Sequence, residues 1–365
     1  MIQVCKPTIN QETKEELLKT LDSGWFGNGP KVKEFETEFA KYVGAKYAVA
    51  VSSCTAALDL ALMAAGVKDG ELITTPMTFV STAIVGEWNN LDVTFCDIDP
   101  DTLCLDPEKL VITPQTKAII AVDSHGRLAD IDAIRKKFDG LIIEDAAHAC
   151  YTPGAGSKAD ITCWSFQAVK TMPIGDGGMI TTNNEQYYNR LKNEGLTWLG
   201  VVKSTWERVG EKKYTWDYDI QNLGKKYYMI DILATIGLGQ LKRLGEMTQR
   251  RQFIQAKYNE AFKDIKQIKV PVFSHTVQYY TMQCENRDDL GQFLSENGIA
   301  TSVHFKPLSE MTYWKKAVKR PLPNTKVWEK LLSLPCHNAL TDAEQDLVIY
   351  KIKEFYDKRD NPPLA

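Results

Sequence analysis

From Tyr47 to Thr182 the chain alternates between two hydrophobic periods. Short β-branched or apolar runs at Tyr47–Ser52, Glu71–Thr75, Asp92–Asp97, Lys117–Val122, Leu141–Glu144, Ile161–Ser165 and Gly178–Thr182 have the length of strands. Between several of them, Ala56–Ala65, Ser81–Asn89 and Ile131–Phe138 carry helical periodicity. This alternation leaves a chain few choices, because parallel strands need a crossover and the crossover helices must cover the sheet. It predicts an α/β fold with a mostly parallel sheet of about seven strands and helices on both faces.

The flanks differ. Gln11–Ser23 and Lys31–Val43 read as amphipathic helices ending at Gly24 and Gly44, with a Gly27-Asn-Gly-Pro30 turn between them. Residues 183–240 read as helix and loop dense in Trp and Tyr, and a long helical pattern runs from about Ile232 to Phe262. Beyond it, Val277–Gln283 and Ala300–Phe305 read as strands flanking a helix Asp288–Asn297, with further helices at Lys326–Leu332 and Asp342–Asp357. At 365 residues the chain exceeds a single ordinary core. We expect two domains: a large one over residues 1–240, including the N-terminal helical segment, and a smaller C-terminal α+β domain over 241–365.

Charge and composition narrow the function. With 44 Lys+Arg against 47 Asp+Glu and no long run of one sign, neither a nucleic-acid nor a membrane partner is expected. The longest apolar stretches, such as Leu58–Gly66, fall far short of a bilayer span, and Met1-Ile-Gln-Val-Cys-Lys lacks a signal-peptide hydrophobic region, so a cytoplasmic location is expected. The eight cysteines form no CxxC pair, and most lie in apolar runs, where a thiol acts as a small buried hydrophobe. No metal site is expected.

In an open parallel sheet, ligands bind beyond the carboxyl ends of the strands. The first strand leads through Ser53-Cys-Thr-Ala-Ala57 into a helix, and a helix N-terminus with hydroxyls suits a phosphate; the same residues would also serve as an ordinary N-cap. Leu141-Ile-Ile-Glu144 ends in Asp145-Ala-Ala-His148, and the next strand is followed by Ser165-Phe-Gln-Ala-Val-Lys170 and a glycine turn, Gly175-Asp-Gly-Gly178. A phosphate cradle, an acid at a strand end and a lysine beyond the next strand are together what a pyridoxal 5′-phosphate (PLP) enzyme needs. The lysine binds the cofactor, the acid keeps the pyridine nitrogen protonated, and the cradle holds the phosphate.

At this point the chain resembles the DegT/StrS family of PLP-dependent nucleotide-sugar aminotransferases, of fold type I. The likeness runs from Gly24-Trp-Phe-Gly-Asn-Gly-Pro30 to Ser333-Leu-Pro335, through Ser53-Cys-Thr-Ala-Ala-Leu58, Thr75-Pro-Met-Thr-Phe79, Thr116-Lys-Ala-Ile-Ile120, Ala129-Asp-Ile-Asp132, Ile143-Glu-Asp-Ala-Ala-His148, the Ser165 to Lys170 segment, Gly175-Asp-Gly-Gly178 and Val303-His-Phe305. Carried over residue by residue, it makes Lys170 the cofactor lysine and Asp145 the partner of the pyridine nitrogen. Phe79 falls where an aromatic ring stacks on the cofactor, His148 falls beside the ring oxygen, and Ser165 with Ser53, Cys54 and Thr55 falls at the phosphate. Lys226, in Asn222-Leu-Gly-Lys-Lys-Tyr227, occupies the position that reaches the phosphate from the other subunit of a homodimer. Trp25, Phe26 and Gly27, with His304 and Phe305, fall where the sugar nucleotide binds.

Three departures stand out. Cys54 replaces a common glycine, Gln167 a common histidine, and His125 in Asp123-Ser-His-Gly126 stands where an aromatic residue is usual. Trp198, Trp206, Trp216 and Tyr218 are candidates either for stacking on a base or sugar or for packing a dimer interface. The resemblance implies transfer of an amino group from L-glutamate, leaving 2-oxoglutarate and the pyridoxamine phosphate form of the cofactor, to a nucleotide-linked keto-sugar, first of all a 4-keto-6-deoxy sugar. The product would be an amino sugar for surface polysaccharide, glycan or natural-product biosynthesis. The alternatives are a 3-keto-sugar nucleotide as acceptor, or a non-catalytic sensor built on the same fold. Relatives that dehydrate sugars carry a histidine in place of the lysine, and Lys170 argues against that branch. A dinucleotide fingerprint at Gly27-Asn-Gly29 is excluded by context, because no strand precedes that turn.

Overall fold

The computed structural model describes residues 1–202, 216, 218–220 and 222–360. The alternating region forms one seven-stranded sheet of β1 (Tyr47–Val51), β2 (Glu71–Thr74), β3 (Asp92–Phe95), β4 (Thr116–Val122), β5 (Leu141–Asp145), β6 (Ile161–Ser165) and β7 (Gly178–Thr182), in the order β1-β7-β6-β5-β4-β2-β3. β7 alone runs against its neighbours, pairing antiparallel with β1 and β6; every other pairing is parallel.

Alternation along each strand builds two core layers. Val49, Val51, Ile120, Ile143, Cys163 and Ile180 face one side, packed on α3 (Cys54–Ala65), α4 (Ser81–Trp88) and α6 (Glu185–Lys192). Ala48, Ala50, Trp164 and Met179 face the other side, in a core shared with α2 (Pro30–Val43) and the first half of α7 (Asp231–Phe262), while α5 (Ile131–Lys137) contributes to the layer over Ile119, Ala121 and Ile142. α1 (Gln11–Asp22) lies along α7. Local chemistry sets the helix ends. Ser53 caps α3 by accepting from the Ala56 N–H at 3.1 Å, Pro30 opens α2, and Gly44 (φ 74°) ends α2 in the left-handed region that favours glycine.

The C-terminal part is α+β. β8 (Ile268–Lys269), β9 (Tyr280–Cys284) and β10 (Leu331–Leu334) make an antiparallel sheet in the order β10-β9-β8. Its core takes in α8 (Arg287–Glu296), α9 (Asp342–Asp360) and Ile254, Tyr258 and Phe262 of α7. α7 thus serves both cores, and the division at 240/241 falls inside this one continuous helix. The chain also returns from the small unit to the large one, since Leu308, Trp314 and Ala317 join the core under α3.

Two expectations in this part are corrected. Ala300–Phe305 is not a strand; only Ser302 bridges, to Ser333. Lys326–Leu332 is not an α-helix: 3-10 turns cover Pro323–Lys330, and Leu331 and Leu332 open β10, paired with Gln283 and Met282. No helix among the described residues is long and apolar enough to cross a membrane. All eight cysteines are free thiols, six of them buried.

Candidate active site

One edge of the large sheet gathers the chemistry. β1, β2, β4, β5 and β6 all end there, and the reversed β7 begins there. The segments leaving this edge, with Tyr279, His304 and Phe305 of the small unit, line a cavity of about 360 Å³.

Asp145, the last residue of β5, is 4 % exposed and faces this cavity. Its Oδ2 accepts from Thr82 Oγ1 at 2.8 Å and its Oδ1 from the Ala147 N–H at 3.2 Å, while the Cys54 thiol lies 3.9 Å from Oδ1. Thr82 spends its proton on Asp145, so Thr78, 2.9 Å away, donates to Thr82 in turn. Burial raises the Asp145 pKa, and the Thr82 and Ala147 hydrogen bonds and the charge of Lys170 oppose that rise. A cation placed beside this carboxylate would favour its charged form further.

Lys170 follows β6 in the turn that leads to β7, where Ala168 N–H bonds the Gly175 carbonyl at 2.9 Å and Ile174 N–H the Phe166 carbonyl at 2.8 Å. Burial lowers its pKa, against an opposite pull from Cys54, Asp145 and Cys5. A lysine poised toward its neutral form is a better nucleophile than one in water.

The helix end beside Lys170 is built for an anion. Of the first four N–H groups of α3, Ala56 is satisfied by the Ser53 hydroxyl and Ala57 by the Ser53 carbonyl, which among the described residues leaves Cys54 and Thr55 as free donors at the positive end of the helix dipole. Thr55 Oγ1 bonds Ser81 Oγ at 2.6 Å, and Ser165 borders the same space. Gly178 makes this packing possible: a Cβ there would lie 2.5 Å from the Ser53 carbonyl carbon and 2.7 Å from the Cys54 nitrogen.

The opposite wall is aromatic. Phe79 is 60 % exposed at the cavity. His148 stacks on Phe305 with ring centroids 6.0 Å apart, and His304 on Tyr279 at 3.7 Å. His148 Nδ1 accepts from the His125 N–H at 3.3 Å, so its proton sits on Nε2, and burial with the nearby Lys170 charge holds its pKa well below the usual value. His304 Nδ1 shares a hydrogen bond with Ser333 Oγ at 2.8 Å, and burial, then Lys170, lowers its pKa to about 3. His125, in a left-handed conformation (φ 58°), is buried behind His148 and is not among the residues lining the cavity.

Ser53, Cys54, Thr55, Phe79, Asp145, His148, Ser165, Lys170, His304 and Phe305 therefore share one cavity. Trp25, Phe26, Gly27 and Lys226 do not line it. Trp25 Nε1 bonds the Asn28 carbonyl at 3.3 Å, the Gly27 carbonyl accepts from Asp231 N–H at 2.8 Å, Phe26 is half-exposed, and Lys226 is exposed, bridging Trp198. Of the aromatic loop, Trp198 packs edge-on against Tyr228 and Trp216 and Tyr218 are exposed, while Trp206 lies outside the described residues. Sequence reasoning missed Thr78, Thr82 and Tyr279. The two threonines have a weak local signal, hydroxyls four residues apart at the start of α4; Tyr279 has none, because its place comes from the small unit.

These residues fit PLP on their own chemistry. An anion cradle, a half-exposed ring, a hydrogen-bonded buried carboxylate and a lysine of lowered pKa converge on one space.

Known proteins agree with this geometry. The sequence model of the DegT/DnrJ/EryC1/StrS aminotransferase family matches residues 7–353. The spore coat polysaccharide biosynthesis protein SpsC of Bacillus subtilis is 38% identical over 374 positions, covering 96% of this chain and 95% of SpsC. The sugar aminotransferase CalS13 from Micromonospora echinospora superposes with a TM-score of 0.86 at 27% identity, covering 97% of this chain and 100% of its own. Spr1654 from Streptococcus pneumoniae, solved in PMP and PLP forms, is 30% identical, with a TM-score of 0.88 for the PMP form over 98% of this chain and 100% of that one. The fold is that of the fold type I PLP-dependent transferases. With a family match over nearly the whole length and the family's chemistry assembled at one sheet edge, the chain belongs to the DegT/DnrJ/EryC1/StrS aminotransferase family.

Proposed function

We propose that this PLP-dependent aminotransferase moves an amino group from L-glutamate to the ketone of a nucleotide-linked keto-sugar, with a 4-keto-6-deoxy sugar as the first candidate, in polysaccharide biosynthesis. The observation that carries the reading is the convergence of Lys170, Asp145 and the free N-terminus of α3 on one cavity. A relative named for spore coat polysaccharide biosynthesis and a structural neighbour named as a sugar aminotransferase support the sugar. Glutamate and the nucleotide rest on the resemblance.

When bound, PLP accepts the electron pair of the donor's Cα–H bond. The chain does the rest. Lys170 anchors the cofactor through Nζ, and the same nitrogen carries the donor's Cα proton as general base and returns one as general acid. Asp145 supplies the negative charge that keeps a pyridine nitrogen protonated, with Thr82 and Ala147 holding its oxygens. Cys54 and Thr55 N–H groups and the Thr55 and Ser165 hydroxyls receive the phosphate, Phe79 offers a ring to stack, and His148 offers Nε2–H as a donor. His304 and Phe305 border the space left for the sugar, and the resemblance adds Trp25, Phe26 and Gly27, which lie outside this chain's own cavity. Lys226 reaches the phosphate of the other protomer in a homodimer; its exposure outside its own cavity supports this. We expect the protein to act in the cytoplasm.

The test is the visible and near-ultraviolet absorbance of the protein with PLP, before and after L-glutamate, followed by mass detection of amino sugars from a panel of nucleotide keto-sugars. The visible band should convert to that of pyridoxamine phosphate, and one acceptor should yield product. Borohydride should trap PLP on Lys170, and Lys170→Ala should trap none; trapping on another lysine would reject the assignment.

A further inference from the structure

Among the described residues, no hydrogen bond or ion pair holds Nζ of Lys170; what fixes this residue is its main chain. The flanks of Lys170 are gripped by one side chain from the small unit. Gln278 Oε1 accepts from Thr171 N–H at 2.9 Å and from Thr171 Oγ1 at 3.0 Å, and Gln278 Nε2 donates to the Val169 carbonyl at 2.8 Å. The two ends of the amide meet complementary partners, so its orientation is determined. Gln278 is 0% exposed, and its own backbone is held by Thr276 through its N–H at 3.0 Å and by Arg251 Nη1 through its carbonyl at 3.2 Å. The next residue is Tyr279, whose ring stacks on His304. Two consecutive residues thus touch the neighbours of Lys170 on both sides and the aromatic wall.

We propose that Gln278 is a positioning residue for Lys170: its amide sets the backbone from which Nζ reaches, and ties it to the Tyr279–His304 wall. The general reason is that an ångström of misplacement at a reacting atom costs far more rate than affinity. Removing the amide while keeping its volume leaves the Thr171 N–H buried without a partner and frees the Val169 carbonyl from its donor, and the turn must move to satisfy the buried group. The inference rests on Lys170 being the cofactor lysine, as proposed above.

The experiment compares wild type, Gln278→Met, Gln278→Glu and, as a control for burial alone, Gln345→Met. Gln345 of α9 is also 0% exposed, and its Nε2 bonds the Ile254 carbonyl of α7 at 2.8 Å, outside the cavity. Each protein is stripped of cofactor and given PLP, and the rate of borohydride-trapped addition at Lys170 is followed by peptide mass, beside the melting temperature and kcat and KM for L-glutamate. Gln278→Met should slow addition at Lys170 and lower kcat by about tenfold or more, with KM within about twofold. Gln278→Glu, which keeps the acceptor for Thr171, should recover part of the loss, and Gln345→Met should lower the melting temperature without slowing addition. Gln278→Met that matches Gln345→Met in addition rate and kcat overturns the proposal. If Gln278→Met does not fold, Gln278→Glu and Thr171→Val decide it: wild-type addition rates in both overturn it. Wild-type trapping away from Lys170 rejects the functional reading instead, and is scored separately.

Discussion

Glu144 and Asp145 are neighbours on one strand, and strand geometry gives them opposite work. Asp145 faces the cavity. Glu144 accepts from Gly156 N–H at 2.9 Å and Thr162 Oγ1 at 3.1 Å on the other side and, with Asp123, makes a buried carboxyl pair. Replacing Asp145 by Asn keeps size and hydrogen bonding but removes the charge. The variant should retain PLP and lose turnover by about 100-fold or more, measured by stopped-flow reduction of the visible band with glutamate; near-normal turnover would discard the assignment. The buried pair predicts a stability effect. Burial first, then Glu144, raises the Asp123 pKa well above the usual value, which favours a proton on Asp123 shared with Glu144. A carboxyl whose folded pKa is raised contributes stability that is complete below the ordinary carboxylate range and is lost as pH rises through the folded pKa. Asp123→Asn supplies a permanent donor toward Glu144 and keeps the acceptor for the Ala129 N–H. The melting temperature of the variant relative to wild type should therefore rise as pH is raised from about 5 to about 9; a pH-independent difference would refute the shared proton. At this scale the sequence exposed residues whose type is rare at a strand end, Asp145, His148 and Lys170. It hid Thr82, Tyr279 and Gln278, since a threonine in a helix or a glutamine before a strand has no local mark of its partners.

Strands within the sheet were legible to within a residue or two, because the seven short apolar runs have a strand's length and composition and are bounded by helical or turn segments. The small unit was less so. Val327-Trp-Glu-Lys-Leu-Leu332 suits a helix as well as a strand, and pairing with β9, which buries Leu331, Leu332 and Leu334, decides between them. Ala300–Phe305 has a strand's composition, but its contact with the sheet stops at the Ser302–Ser333 bridge. The reversal of β7 had no sign in its side chains either. It does leave Gly178 against the turn that caps α3. Gly178→Ala would press a methyl into the backbone of Ser53 and Cys54. Backbone cannot rotate aside as a side chain does, so the turn bearing the free N–H groups must shift, at a cost of about 1–3 kcal/mol. PLP affinity in the variant, measured by equilibrium titration, should fall by about tenfold or more, with Lys170 trapping retained at saturating cofactor. Unchanged affinity would show that the α3 end does not hold the phosphate.

At the scale of the whole molecule, the proposed homodimer completes each site with Lys226 of the other chain. Lys226 stands exposed, while its neighbour Lys225 pairs with buried Asp59 of α3 at 3.4 Å. That ion pair ties the segment to its own α3, and exposed Lys226, Ile220 and Leu223 present a charge and apolar surface toward the second copy of the proposed homodimer. If the sites are shared, each one takes Lys170 from one protomer and Lys226 from the other. Lys170→Ala should abolish activity, and Lys226→Ala should weaken PLP binding and lower activity. Co-expression of the two variants separates sharing from self-service. In a mixed dimer with shared sites, the protomer carrying wild-type Lys170 receives wild-type Lys226 from its partner, so one site of two is intact. Random assembly makes about half the dimers mixed, and about a quarter of all sites should then work. If Lys226 serves its own chain, no mixed dimer contains an intact site, and activity stays at the level of the Lys226→Ala protomers present. Activity per trapped cofactor in the co-expressed preparation at saturating PLP distinguishes the two: wild-type turnover at about half of the trapped sites supports a shared centre, and the Lys226→Ala rate at every trapped site refutes it.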